Sequence, residues 1–462
     1  MLLGRGAFCM LVAFAVSAAA TSHALAETLE GAIVQAYQNN PQINAQRALL
    51  RATDEGVPQA LSGYRPTISA SGNYGWQYQD ATSSARMGGG RMHDDVTPAG
   101  IGATLTQRIF DGFQTGNRTR QAESNVMSAR ETLRVMEQTV LLDAVTAYMN
   151  VLRDSATLDL QRRNVEVIQE QLRQTRDRFN VGEVTRTDVA QAESRVAAAQ
   201  SQMLAAQANL TASRANYRRI IGIEAGKLSP GTPVDRLSPR SLDQAVAQGQ
   251  AENPSVAAAE FGIDVAALQV KINEGALYPV VAVQAIAQKD WNSTLQSRRS
   301  FNGGVMGQVT VPLYQGGSEY SLIRQAKETV SQRRLELALN RDQARANVVQ
   351  AWGQLEAAKA QIDATRAQVA AAEIALNGVR EEARVGQRTT LDVLNAQQEL
   401  VNARVALVAA QRDRVVASYT LLASVGRLSV QAIGLQTPVY DPMIHYQQVR
   451  DSWFGMRTPD GK

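Results

Sequence analysis

Apolar and polar residues alternate with a two-residue period at only two places in this chain; elsewhere they step by threes and fours. Between Ile68 and Tyr78, residues Ile68, Ala70, Gly72, Tyr74, Trp76 and Tyr78 fall on one side, against Thr67, Ser69, Ser71, Asn73, Gly75 and Gln77. This predicts a strand with one apolar face ending in aromatics and one small polar face. After Gly88–Asp95, read as a loop, Ala99, Ile101, Ala103 and Leu105 alternate with Gly100, Gly102, Thr104 and Thr106 as a return strand, giving a hairpin over residues 67–108. A second hairpin is predicted over residues 280–312. Its return strand sets Val305, Gly307, Val309 and Val311 on one face, and its outgoing strand, Val280–Gln288, alternates less cleanly.

The three–four stepping predicts helices. Val126, Ala129, Leu133, Met136, Val140, Ala144, Ala147 and Val151 mark a long one over Thr115–Arg178, and Ala344, Val348, Ala351, Leu355, Ala358, Ile362 and Val369 mark another over Gly317–Ala383. Shorter helices follow, seamed by Val189, Ala192, Val196, Ala199, Met203, Ala206 and Leu210, then by Val393, Ala396, Leu400, Ala403, Leu407 and Ala410. Sustained spacing of this kind indicates coiled-coil packing. A helix opening each half is expected over Thr28–Ser62 and over Ser241–Ala276, closing just before a proline.

Every element thus occurs twice. Asn40-Pro41 returns as Asn253-Pro254 and Pro66 as Pro279; Val181-Gly182-Glu-Val-Thr185-Arg-Thr-Asp188-Val189 returns as Val385-Gly386-Gln-Arg-Thr389-Thr-Leu-Asp392-Val393. The chain therefore divides into residues 27–228, a linker 229–240, a second copy 241–428 and a tail 429–462, after a leader 1–26. Four strands with an apolar outside and a wet inside suit a membrane barrel, but four cannot close one, since barrels start at about eight strands. An open edge in lipid leaves backbone groups unpaired. Several copies must therefore contribute strands to one barrel.

Composition sharpens this picture. Hydrophobic residues make up 44% of the chain and aromatics only 5%, so alanine carries much of the apolar content, which favours close-packed long helices over a compact enzyme core. Arg5, the apolar run Ala7–Ala20 and Ala24-Leu25-Ala26 read as a secretory signal cut before Glu27. The single cysteine, Cys9, lies within it, leaving the mature chain without a thiol for a disulfide or lipid anchor. The 47 basic residues nearly balance 43 acidic ones, and the arginine pairs, such as Arg162-Arg163 and Arg333-Arg334, are isolated, so nucleic acid is not an expected partner.

With these residues in hand, the chain resembles the TolC family of outer-membrane channels of Gram-negative bacteria. The likeness rests on the doubled Asn-Pro helix openings and on the strand entries Tyr64-Arg-Pro66 and Tyr278-Pro279. It rests equally on the strand exits Phe110-Asp-Gly112 and Tyr314-Gln-Gly316, and above all on the paired Val-Gly-x-x-Thr-x-x-Asp-Val turns. The resemblance implies a mainly helical chain with membrane strands: a homotrimer sharing a twelve-stranded β-barrel in the outer-membrane lipid, above a periplasmic α-barrel of coiled-coil helices. Segments Gly222–Arg240 and beyond Leu428 would form a belt around it. It further implies an exit duct for drugs, toxic compounds or proteins, working with a periplasmic adaptor and an inner-membrane pump of RND or ABC type and needing no cofactor.

On that resemblance Asp188 and Asp392 would ring the periplasmic entrance, where crowded like charges raise pKa values and attract cations. Read alone, each aspartate is more simply a helix cap, but the matched pair in the matched turn favours the ring. Arg388 and Gln171 are candidate gate latches. Val181, Gly182, Thr185, Val385, Gly386 and Thr389 form the turns that either meet the adaptor or simply reverse the chain. Tyr74, Trp76 and Tyr78 are assigned to the lipid interface. The sequence departs from well-known members at Ala383, where a tyrosine often braces the gate, and at Asn395 and Gln191, where a second carboxylate might stand.

Two other readings compete, beside a simple diffusion porin, which would be mostly strand. Catalysis lacks residues to carry it: His23 falls in the leader, His93 and His445 read as isolated, and no zinc spacing, nucleophile elbow or P-loop occurs. A periplasmic coiled-coil scaffold or adaptor without a pore explains the helices but gives Ile68–Tyr78 no reason to alternate.

Overall fold

A computed structural model describes residues 27–82, 90–294, 297–459 and 461. Two helices of equal length, α4 (Gln114–Asn180) and α8 (Ser318–Arg384), are the longest elements among the described residues. At 67 residues each spans about 100 Å. Along α4 the buried positions Val126, Leu133, Val140, Ala147, Asp154, Gln161, Ile168 and Thr175 recur every seven residues. That seven-residue period is the coiled-coil signature and holds one face toward its neighbours.

Helix α5 (Arg186–Ile221) folds back along α4, and α9 (Thr390–Ser424) along α8. Beyond the end of α5, α4 is flanked by α1 (Leu29–Asn39), α2 (Pro41–Asp54) and α3 (Gly56–Leu61). Similarly α6 (Leu242–Glu252) and α7 (Pro254–Gly275) flank α8 beyond α9. The opening helices are therefore not continuous, contrary to the sequence expectation. They break where Asn40 and Asn253, extended at the backbone, accept hydrogen bonds from Gln42 N and Ser255 N, with proline at the first helical position. Each asparagine also donates through Nδ2 to the end of the neighbouring hairpin, Asn40 to Ile220 O at 2.9 Å and Asn253 to Ser424 O at 3.1 Å. The doubled Asn-Pro is thus a joint that stacks two helix segments end to end.

The largest apolar core surrounds the middle of α4. Tyr148, Tyr217 and Tyr419 are fully buried there with Ile33, Leu141 and Leu422. The Tyr148 hydroxyl lies 2.7 Å from the carbonyl oxygens of both Glu27 and Ser229, pinning the start of the described chain to the linker. Linker residue Val234 and tail residues Val430 and Ile433 pack into the same core. The tail continues through α10 (Val430–Ile433) and α11 (Pro442–Val449), and α11 packs on α2. His445, read as isolated in the sequence, is buried against Asp54 on α2, Nδ1 to Oδ2 2.9 Å.

Strands β1 (Thr67–Tyr74), β4 (Ala99–Phe110), β5 (Val280–Thr294) and β6 (Ser297–Thr310) make one antiparallel sheet in the order β1-β4-β5-β6. The two hairpins are joined through β4 and β5, and among the described residues the outer edges of β1 and β6 have no partner strand. The outgoing strand does not run on to Tyr78. It breaks at Gly75-Trp76, where Gly75 N donates to Pro98 O, and β2 (Gln77–Thr82) pairs with β3 (Arg91–Val96) in a separate ribbon. Residues 91–95, expected in a loop, are therefore strand; the rest of that loop, up to residue 89, lies outside the described residues.

Candidate channel wall and periplasmic tips

Register sorts the sheet residues into two faces, because residues directly opposite one another point the same way. One face carries the rungs Ile68–Leu105–Ala285–Val305, Gly72–Ile101–Lys289–Phe301 and Tyr74–Ala99–Trp291–Arg299. The other carries Ser69–Thr104–Ile286–Gly304, Ser71–Gly102–Gln288–Asn302 and Asn73–Gly100–Asp290–Ser300. The first face is apolar and ends in an aromatic–cationic rung; the second is small and mostly polar. Ile68, Phe301 and Val305 are each more than two-thirds exposed, a large apolar surface left uncovered by the chain itself.

Of the aromatics expected at the interface, Tyr74 occupies the last rung of the apolar face, Trp76 sits in the break, and Tyr78 lies in the separate ribbon. Sequence reading missed Trp291, level with Tyr74, with the Lys289 ammonium 5.4 Å from its ring. The β5 alternation was obscured because Val280, Ala282 and Ile286 put apolar side chains on the polar face.

At the opposite end, each long helix ends in the same turn. Val181 and Gly182 cap α4 with Gly182 at φ +80°, and Val385 and Gly386 cap α8 with Gly386 at φ +81°. The left-handed glycine lets Glu183 N reach Arg178 O and Gln387 N reach Glu382 O, both at 2.9 Å, closing the helix end. Val181 and Val385 are each 72% exposed. An apolar side chain at the apex of a rigid turn is a contact without a partner inside the chain.

The next helices start with reciprocal capping boxes. Thr185 Oγ1 accepts from Asp188 N, and Asp188 Oδ2 accepts from Thr185 N at 2.9 Å and from the Thr185 hydroxyl at 2.7 Å. Thr389 and Asp392 repeat this at 3.0 and 2.9 Å. Hydrogen bonds from the Thr185 hydroxyl and N–H hold the Asp188 carboxyl below the usual carboxylate range; for Asp392 the Thr389 N–H leads, then its hydroxyl. Within one chain both aspartates are thus capping residues, with carboxylates that stay charged.

Arg388 pairs with Glu382 across the second turn, Nε to Oε2 2.8 Å, while Arg178 pairs with Glu183 across the first at 3.0 Å. Gln171 lies ten residues before the turn on α4 and is half-buried; its carbonyl accepts from the Thr175 hydroxyl. Ala383 packs against the small apolar cluster of Leu376, Val393 and Leu400 between α8 and α9. Asn395 has a partner that sequence reading did not supply: Arg195 Nη2 donates to its Oδ1 at 2.6 Å, tying α5 to α9. Leu394 joins Ala192, Ala199 and Ile168 in the same contact.

Among the described residues no helix is long and apolar enough to cross a membrane, and no cluster of metal-binding side chains occurs. Among the described residues the four-stranded sheet presents an exposed apolar face.

Comparison with known proteins agrees with this architecture. A family model described as outer membrane efflux protein matches residues 32–223 and 245–427, the two copies in turn. The outer membrane efflux protein BepC of Brucella suis is 42% identical over 440 residues, covering 95% of this chain and 94% of its own. The outer membrane protein TolC of Escherichia coli is 26% identical, over 88% of this chain and 83% of its own. The CmeC outer membrane channel of Campylobacter jejuni superposes with a TM-score of 0.75 at 14% identity, covering 92% of this chain and 89% of that one. With its duplicated helical hairpins, its four-stranded sheet and these matches along nearly its whole length, the chain belongs to the outer membrane efflux protein family and is an outer-membrane channel protein.

Proposed function

We propose that three copies join edge to edge, β1 of one against β6 of the next, to close a twelve-stranded barrel in the outer membrane above a helical barrel crossing the periplasm. The observation that carries this is the four-stranded sheet, which has one apolar face and, among the described residues, no partner strand at either outer edge. In lipid each unpaired backbone group costs several kcal/mol, so the edges must find strands, and only other copies supply them. The rungs from Ser71 to Asn302 and from Asn73 to Ser300 then face water inside, and the Ile68-to-Val305 rung faces lipid.

At the far end, the tips built on Val181, Gly182, Thr185, Val385, Gly386 and Thr389 dock a periplasmic adaptor, which couples the duct to an inner-membrane pump of RND or ABC type. Asp188 and Asp392 from three chains form the charged ring at the entrance, with Arg388 and Gln171 latching neighbouring hairpins. BepC is named for efflux and the 26% identical AprF of Pseudomonas aeruginosa for alkaline protease secretion, so both small molecules and secreted proteins are candidate cargo.

Two measurements test this reading. Mass determination in mild detergent is expected to give three chains per particle; a monomer would sink the barrel. In planar bilayers Arg388→Ala and Asp188→Ala are each expected to raise conductance by loosening the entrance, and unchanged conductance in both removes these residues from the gate.

A further inference from the structure

The tail does not stop at the central core. From α10 it runs along α2 and α4 toward the sheet: Tyr440 N donates to the Tyr37 hydroxyl, the Arg130 guanidinium sits 5.2 Å from the Tyr446 ring, and Arg450 pairs with Glu123 at 3.5 Å. The tail then reaches the foot of the sheet. Arg65 Nη1 donates to Ser452 O at 2.6 Å, and its guanidinium stacks 4.7 Å from the Trp453 ring. Arg65 stands two residues before β1 begins, so Trp453 is held within a side chain's reach of the level where the chain enters the barrel.

There the tail presents three large, mostly exposed apolar side chains, the first of them stacked by Arg65. Trp453 is 64% exposed, Phe454 91% and Met456 fully exposed. Arg65, Arg450 and Arg457 flank them. On α4 the tail meets Glu123 and Arg130, whereas Gln121 and Ser128 are turned to α7 and donate to Val265 O and Ala258 O.

We propose that residues 452–457 are an interfacial foot, inserting Trp453, Phe454 and Met456 into the headgroup–acyl boundary of the periplasm-facing leaflet of the outer membrane. The proposal rests on the barrel reading above, which sets the height of the bilayer. The occupant is lipid because the exposed rings are tied to the entry of the sheet whose apolar face meets the bilayer, and because arginines flank the rings where anionic headgroups lie. At the other end of the sheet Tyr74 and Trp291 mark the opposite boundary, so the foot supplies a second aromatic level. The Arg65 stack and the Ser452 hydrogen bond fix its height.

The test uses the full mature chain in phospholipid vesicles, with tryptophan as the probe. One variant keeps only Trp453 (Trp76→Phe, Trp291→Phe, Trp352→Phe), and a second keeps only Trp291. Lipids brominated near the headgroup are expected to quench Trp453, and aqueous acrylamide to quench it less than it quenches free N-acetyltryptophanamide. Acrylamide quenching as strong as that of the free compound, with no effect of the brominated lipid, would overturn the proposal. A blue-shifted emission that neither quencher reaches would overturn it in favour of packing on a second copy. Trp291 must be quenched by brominated lipid whatever Trp453 does; if it is not, the barrel reading itself has failed. A variant with Trp453→Ser and Phe454→Ser is further expected to assemble normally yet to show faster amide exchange over residues 446–457 in vesicles than the unchanged chain, and unchanged exchange counts against the foot.

Discussion

His445 and Asp54 meet although 391 positions separate them. Asp54 is fully buried, its Oδ2 lies 2.9 Å from the His445 ring nitrogen, and Oδ1 makes no hydrogen bond among the described residues. Burial raises the Asp54 carboxyl above its ordinary value, against the pull of His445 and Arg130. The sign follows. A carboxyl whose folded-state pKa is raised keeps its proton longer when folded, so its contribution to stability declines as pH climbs from the ordinary carboxylate value through the raised one. His445→Ala leaves a buried carboxyl without its one strong partner and is expected to cost about 2–3 kcal/mol. Because α11 fastens the tail, the loss should appear as faster proteolytic cleavage within residues 436–459 before the helical column unfolds. The pairing was not legible in the sequence, since nothing local about a lone histidine or a helix-end aspartate links them. The tip residues were, because Val-Gly and Thr-x-x-Asp are complete within nine positions and use only local backbone chemistry.

At the scale of elements, duplication makes comparisons that a single copy cannot. Gly112 and Gly316 both leave a strand at positive φ, +67° and +73°. A Cβ on Gly112 would fall 2.2 Å from the Gly275 carbonyl oxygen, while one on Gly316 meets nothing within 4 Å. Gly316→Ala should therefore pay only the left-handed backbone penalty, on the order of 1 kcal/mol. Gly112→Ala must also push α7 away, and is expected to cost about 3 kcal/mol or more. Urea-unfolding midpoints of the two variants check the difference, and equal midpoints would contradict the close approach. The sequence offered both exits as equivalent, because the distinction depends on Gly275, which reaches Gly112 only through folding. The split of the opening helices was latent in Asn-Pro, but continuing helical periodicity on both sides hid it. The hydrogen bonds from Asn40 and Asn253 to Ile220 and Ser424 then give the doubled motif its reason.

For the molecule as a whole, the decisive property is the sidedness of the sheet. Val305→Arg places a charge on the lipid-facing rung with Ile68 and Leu105 and is expected to destabilise the assembled barrel by about 2–4 kcal/mol per chain if that rung lies near mid-bilayer. Ser71→Arg, on the wet rung with Gln288 and Asn302, should leave assembly intact and shift ion selectivity toward anions. Heat-resistant trimer on gels and reversal potentials in planar bilayers read the two effects; the opposite assignment would mean the faces are inverted. Alternation in β1, β4 and β6 exposed this sidedness in the sequence, and the strand count made self-association necessary. What the sequence withheld was the joining of the hairpins through β4 and β5, since no local pattern records which strand lies beside which.

The two tips of a chain are alike in backbone but opposite in charge order: arginine precedes glutamate across the first turn, and glutamate precedes arginine across the second. Six hairpins in a closed assembly would then alternate in electrostatic polarity around the rim. A docking collar of identical units would feel two kinds of seat, and would settle in steps of a third of a revolution rather than a sixth.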